Sequence, residues 1–89
     1  SDEEAKRRKN LQKKEAESKV KRLSDKIIYE IEAPGIKEKS DIAITRLEEG
    51  FEIKAYAKDN CYIKKIPLQI DITDYNVRKD KVIIEMKGE

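Results

Sequence analysis

Histidine is absent from the 89 residues and cysteine occurs once, at Cys61. The side chains that most often carry proton transfer, nucleophilic attack and transition-metal ligation are therefore almost missing. A thiol with no imidazole to take its proton is a poor nucleophile, and Cys61 reads as a small buried residue at the start of a strand. Carboxylates are plentiful, yet Glu30, Glu32, Glu48, Glu49 and Glu52 fall at outward or turn positions. A solvated face accounts for them better than an acid–base pair does. The three glycines are scattered singly, which leaves no loop to cradle a phosphate. No catalytic residue, cofactor site or metal site is expected, and the chain reads as a non-enzyme.

Two features suit binding. The first is a run of bases, Lys6-Arg7-Arg8-Lys9, Lys13-Lys14, Lys19, Lys21 and Arg22, of the kind that neutralises phosphates. Residues 1–24 hold nine Lys/Arg against five Asp/Glu, a net of +4, whereas residues 25–89 carry a net of −2. The five acids share the segment with the bases, and no aromatic lies among them to stack on a nucleotide. Nucleic-acid contact therefore ranks below a solvated or assembly-forming segment. No bulky apolar stripe accompanies the charges, which argues against a membrane surface. The second feature is a set of strand edges and the space between sheets, which accept extended peptides by strand addition.

The elements that must hold these features follow from periodicity. Residues 1–24 contain no Pro, no Gly and one β-branched residue, Val20. Acid-then-base pairs four apart (Asp2/Lys6, Glu3/Arg7, Glu4/Arg8, Glu15/Lys19, Glu17/Lys21) each add about 0.2–0.5 kcal/mol to a helix. Ser1 with Glu4 fits a capping box. The segment is expected to be one charged, basic helix, roughly 36 Å long. Its short apolar seam, Ala16, Val20, Leu23 and Ile27, is a candidate for helix-mediated association, with the first half projecting into solvent.

From residue 25 the period becomes two. Ile27, Tyr29 and Ile31 alternate with Ile28, Glu30 and Glu32; Ile42 and Ile44 follow; then Phe51, Ile53, Ala55 and Ala57. Cys61 to Leu68 and Lys81 to Lys87 complete five strand candidates, with a shorter sixth near Tyr75 to Arg78. Pro34-Gly35, Glu49-Gly50, Asp59-Asn60 and Asp74 punctuate them. Short strands with one apolar face each predict a mainly β chain, an antiparallel immunoglobulin-like β-sandwich over residues 25–89 preceded by the N-terminal α-helix. Pro34 ends the first strand and Gly35 lets the chain turn, so that Ile36 tucks against the sheet.

One cysteine permits no internal disulfide, which suits a reducing compartment. No apolar run approaches the roughly 18–20 residues of a membrane span, and the N-terminus is polar throughout rather than signal-like. A cytoplasmic location is the expectation. Ser1 in the first position and the Lys87-Gly88-Glu89 ending suggest a piece of a longer protein.

The order of features from Ile27 to Lys87 resembles the α-crystallin domain of the small heat shock proteins (the Hsp20 family) and the related p23-like CS domains. Ala33-Pro34-Gly35-Ile36 followed by Asp41-Ile42-Ala43-Ile44 resembles the turn and strand opening of that family. Gly50-Phe51-Glu52-Ile53-Lys54-Ala55, Tyr62 to Leu68 with Asp71, and Val82-Ile83-Ile84-Glu85-Met86-Lys87 match its later strands. The segment Val77-Arg78-Lys79-Asp80-Lys81-Val82-Ile83 departs from it, lacking the glycine of the usual Asn-Gly turn and one residue. Only Lys58, Asp59 and Asn60 separate Ala57 from Cys61, where many relatives insert a long loop with an exchanged strand, and no Ile-x-Ile tail follows the last strand. A compact module is thus a better match than a large shell.

What the resemblance implies is an ATP-independent chaperone-like or co-chaperone module. It would bind unfolded or partner proteins in an apolar groove at which Ile42, Ile44 and Val77 are the matching positions. The alternative reading is an assembly or adaptor domain whose helix, through Ala16, Val20 and Leu23, drives homo-oligomer formation.

Overall fold

The computed structural model describes residues 1–88. Among these the chain forms one α-helix, α1 (Asp2–Asn10), and eight strands: β1 (Gln12–Glu15), β2 (Ser18–Arg22), β3 (Lys26–Glu32), β4 (Ile42–Leu47), β5 (Gly50–Tyr56), β6 (Asn60–Ile66), β7 (Ile72–Arg78) and β8 (Lys81–Lys87). A short 3-10 turn, Lys39–Asp41, precedes β4. The strands make two four-stranded sheets, ordered β1-β6-β5-β4 and β2-β3-β8-β7. The expected sandwich is present.

Period two explains the layers. Ile27, Tyr29 and Ile31 of β3 pair with Met86, Ile84 and Val82 of β8, and all six are buried. Phe51, Ile53 and Ala55 of β5 bury against them from the opposite sheet, with Ile66. The Ala33-Pro34-Gly35-Ile36 corner is a type II turn: Ile36 N donates to Ala33 O at 3.0 Å and Gly35 takes φ +88°. Asp80 fastens the corner, its Oδ1 accepting from Gly35 N at 3.1 Å and its carbonyl from Ala33 N at 2.9 Å.

The N-terminal segment differs from the expectation. The helix stops at Asn10 instead of running to residue 24, and residues 12–22 supply the outer strand of each sheet. Helix α1 buries no residue, so a longer version would rest on charge pairs of a few tenths of a kcal/mol each. As strands, the same residues complete main-chain ladders with β6 and β3 and bury Ala16 at the crossover between sheets. The seam of Ala16, Val20 and Leu23 therefore does not exist. Ala16 belongs to the core, while Val20 and Leu23, on and just beyond β2, are 44% and 54% exposed. Because β1 runs parallel to β6, the sandwich is not wholly antiparallel.

Nor does the first half of the segment project freely. Ser1 caps α1, its hydroxyl accepting from Glu4 N at 3.3 Å. Arg7 donates to Glu4 and, through Nη1, to Ala57 O at 3.0 Å. Arg8 donates to Glu4 and to Ser40 O at 3.1 Å, and its guanidinium lies 4.4 Å from the centre of the Tyr56 ring. Hydrogen bonds from Arg7 and then Arg8 hold the Glu4 carboxyl at about 2. Two members of the Lys6-Arg7-Arg8-Lys9 cluster thus fasten α1 to the sandwich.

The β7–β8 hairpin closes with Lys79 and Asp80 at φ 48° and 63°. This is the geometry of a type I′ turn, normally given to Asn-Gly. A left-handed lysine costs about 1 kcal/mol relative to a residue that tolerates the conformation. We expect Lys79→Asn to stabilise the fold by about 0.5–1 kcal/mol, read as a higher urea midpoint at unchanged slope. Asp80 must stay, since its carboxylate holds Gly35.

Candidate functional site: the groove between two edge strands

Only Ala16 and Glu17 link β1 to β2, so those two outer strands share one flank of the sandwich. Strands β4 and β7, the opposite ends of the two sheets, therefore share the other. Each carries a partner on one side alone: β4 pairs with β5 and β7 with β8. The ladder register fixes which side chains turn inward. Ile42 lies opposite Ala55 and Ile44 opposite Ile53; Tyr75 lies opposite Ile84 and Val77 opposite Val82. All four partners are fully buried or nearly so, yet Ile42, Ile44, Tyr75 and Val77 stay half-buried, because no further strand closes the gap beyond them. The result is a set of partly exposed apolar side chains along two sheet edges that carry no further strand partner.

Charged groups mark its ends. The 3-10 turn packs on β7 and places Lys39 Nζ 4.4 Å from the centre of the Tyr75 ring, a cation–π contact. Asp41 holds that turn, its Oδ2 accepting from Glu38 N at 3.1 Å and from Lys37 N at 3.4 Å. Further along β4, Arg46 lies over the Phe51 ring at 5.0 Å and reaches Asp71 at 3.6 Å, with both partners of that ion pair well exposed.

The structure thus places Ile42 and Ile44 on one edge strand and Val77 on the other, all three partly buried against the core. It adds Tyr75, which the sequence reading left out although it stands two residues before Val77 on the same strand face, and Lys39, whose part depends on a turn that folds back. Ala16, Val20 and Leu23 sit on the opposite flank. Cys61 is buried, with Tyr56 and Lys13 as its ladder neighbours, and burial pushes its thiol up. It is a poor nucleophile for that reason. Among the described residues no group of three or more His, Cys, Asp or Glu is placed to hold a metal ion. Among the same residues no helix is long and apolar enough to cross a membrane.

Two four-stranded sheets, a Pro-Gly corner before β4 and free edges at β4 and β7 make a specific arrangement to compare. The fold is like that of heat shock protein 16.0 from Schizosaccharomyces pombe. The superposition has a TM-score of 0.65 and covers 86% of this chain and 68% of that one, at 12% sequence identity. The fold is therefore Hsp20-like. No family model matches the chain, and no curated protein matches it by sequence.

Proposed function

We propose that this chain is an ATP-independent, chaperone-type binding module that takes extended apolar segments of unfolded or partner proteins into the β4–β7 groove. The observation that carries this reading is the pair of free sheet edges and the apolar side chains beside them. Four inward-facing side chains, Ile42, Ile44, Tyr75 and Val77, remain half-buried between two edges whose N–H and C=O groups lack a strand partner. An extended peptide laid there gains main-chain hydrogen bonds from an edge while alternate side chains enter the cleft. Such capture needs no nucleotide and no turnover. The Hsp20-like fold supports the reading by analogy.

The test is suppression of light scattering by a heat-labile client. We expect the chain to suppress aggregation at equimolar to several-fold excess, and the pair Ile44→Ser and Val77→Ser to weaken suppression at least fivefold while circular dichroism stays unchanged. No suppression by the unaltered chain at several-fold excess would overturn the proposal. The adaptor alternative has lost its helical seam, since residues 12–22 are strands.

A further inference from the structure

Strand β7 leaves a short stretch of main chain open. Ala33 N donates to Asp80 O at 2.9 Å, in the register that pairs Ile31 with Val82. The even residues of β8 therefore bond toward β3 and its odd residues toward β7. Asp74, Asn76 and Arg78, opposite Glu85, Ile83 and Lys81, spend their N–H and C=O groups inside the sheet. Tyr75 and Val77 point theirs outward, and among the described residues no other main-chain hydrogen bond takes them up. The register slips between Ile72 and Asp74 at one end, and the Lys79-Asp80 turn closes the other, so the usable edge is residues 74–78. An acid and a base stand at its two ends. Asp74 lies across from Glu85 and Arg78 across from Lys81, each facing its own sign, which weakens a ladder. Glu85 and Lys81 turn to β3 for partners, to Lys26 at 3.2 Å and Glu32 at 3.6 Å. Asp74, Asn76 and Arg78 are all exposed.

We infer that β7 pairs antiparallel with β7 of a second copy of this chain, about a two-fold axis at Asn76. In that register Tyr75 meets the partner's Val77 and Val77 meets the partner's Tyr75, and each pair closes its outward hydrogen bonds. Asp74 then stands across from the partner's Arg78, and Arg78 across from the partner's Asp74. An opposite charge on the new side offsets the like charge on the old one. Moving the axis to Tyr75 runs the second copy into the irregular stretch before Asp74, and moving it to Val77 runs it into the turn. The strand therefore sets its own register. Because the same edge serves both copies, the contact closes at two. The other edges suit a copy less well: self-paired, β2 sets Lys19 against the partner's Lys21 and β1 sets Lys14 against the partner's Lys14, while β4 carries Arg46 with no acid to meet it. The paired stretch is short, so the dimer is weak and reversible. Strand β4 keeps its own edge for an extended segment, and the dimer does not depend on client capture.

The test is sedimentation equilibrium of the full chain, with no client present, from about 10 μM to about 1 mM, where a short edge pairing forms. We expect reversible exchange between monomer and dimer with no larger species. Arg78→Asp and Asp74→Arg should each raise the dissociation constant at least tenfold, because each sets like charges across the new ladder. Neither threatens the fold, since each removes a like-charge pair with β8. An equimolar mixture of the two variants should recover the dimer to within about threefold of the unaltered chain, because every cross-copy pair is then opposite in sign. Hydrogen exchange at the Tyr75 and Val77 amides should slow at the highest concentration, while that at Ile44 stays unchanged. A chain that remains monomeric to about 1 mM overturns the inference. A dimer that neither variant weakens, or one that protects Ile44 instead of Tyr75 and Val77, uses another edge and overturns it as well. Loss of the dimer in both variants without recovery on mixing overturns the antiparallel register.

Discussion

Gly50→Ala is expected to remove about 3–5 kcal/mol of stability, most of what a domain of this size possesses. Gly50 opens β5 directly after the two-residue Glu48-Glu49 turn, with φ +154°, and its backbone lies against the strand end that follows β6. An added Cβ would stand 2.0 Å from Ile66 O and 2.9 Å from Leu68 N. Both are main-chain atoms, so no flexible side chain can swing away. Relief requires moving Ile66, which is 1% exposed and pairs with Phe51, or shifting the hairpin so that Leu47 no longer faces Gly50. Either movement reaches the core. The measurement is urea unfolding at fixed pH: the midpoint should fall by about half or more with little change in slope. A loss below about 1 kcal/mol would show that the two backbones do not approach as described.

The same crowding explains why some features were legible in the sequence and others were not. Glycine before Phe51 looks like turn punctuation, and it is; that it also fills a gap too narrow for a methyl group depends on where Ile66 arrives, which spacing does not reveal. Strands from Ile27 onward were readable because each buries one face, and burial writes a period of two. Strand β1 buries none of its four side chains, so Gln12-Lys13-Lys14-Glu15 carries no alternation to read. Local charge pairs such as Glu15/Lys19 then suggest a helix that the ladders override. Edge strands dressed in Lys and Glu resist unwanted pairing, and that dressing hides them from pattern reading.

The residues of the β4 and β7 edges divide in the same way. Ile42, Ile44 and Val77 were reached through the family resemblance, with the groove's apolar character already present in the alternation. Lys39 joined only once the 3-10 turn was seen folded over Tyr75. Lys13 and Lys14 pair with Cys61 and Tyr62, far along the chain, because a segment expected to be helical is a strand parallel to β6.

Whether Ile44 serves the groove or merely fills the core is decided by comparing it with its cross-strand partner Ile53. Ile53 is 0% exposed on the central part of its sheet. Truncation to Ala leaves a closed void that water does not enter, a change that costs about 3–4 kcal/mol. At about 4–8 °C per kcal/mol for a domain of this length, the melting midpoint should drop by about 12–30 °C. Ile44 is only half-buried at an edge, so the space left by the same truncation opens to solvent. We expect Ile44→Ala to cost about 1–1.5 kcal/mol, less than half the penalty at Ile53, while still reducing client capture. The two variants thus separate stability from binding. If Ile44→Ala instead destabilises as much as Ile53→Ala, the cleft is closed in solution, its side chains belong to the interior, and the groove has no room for a peptide.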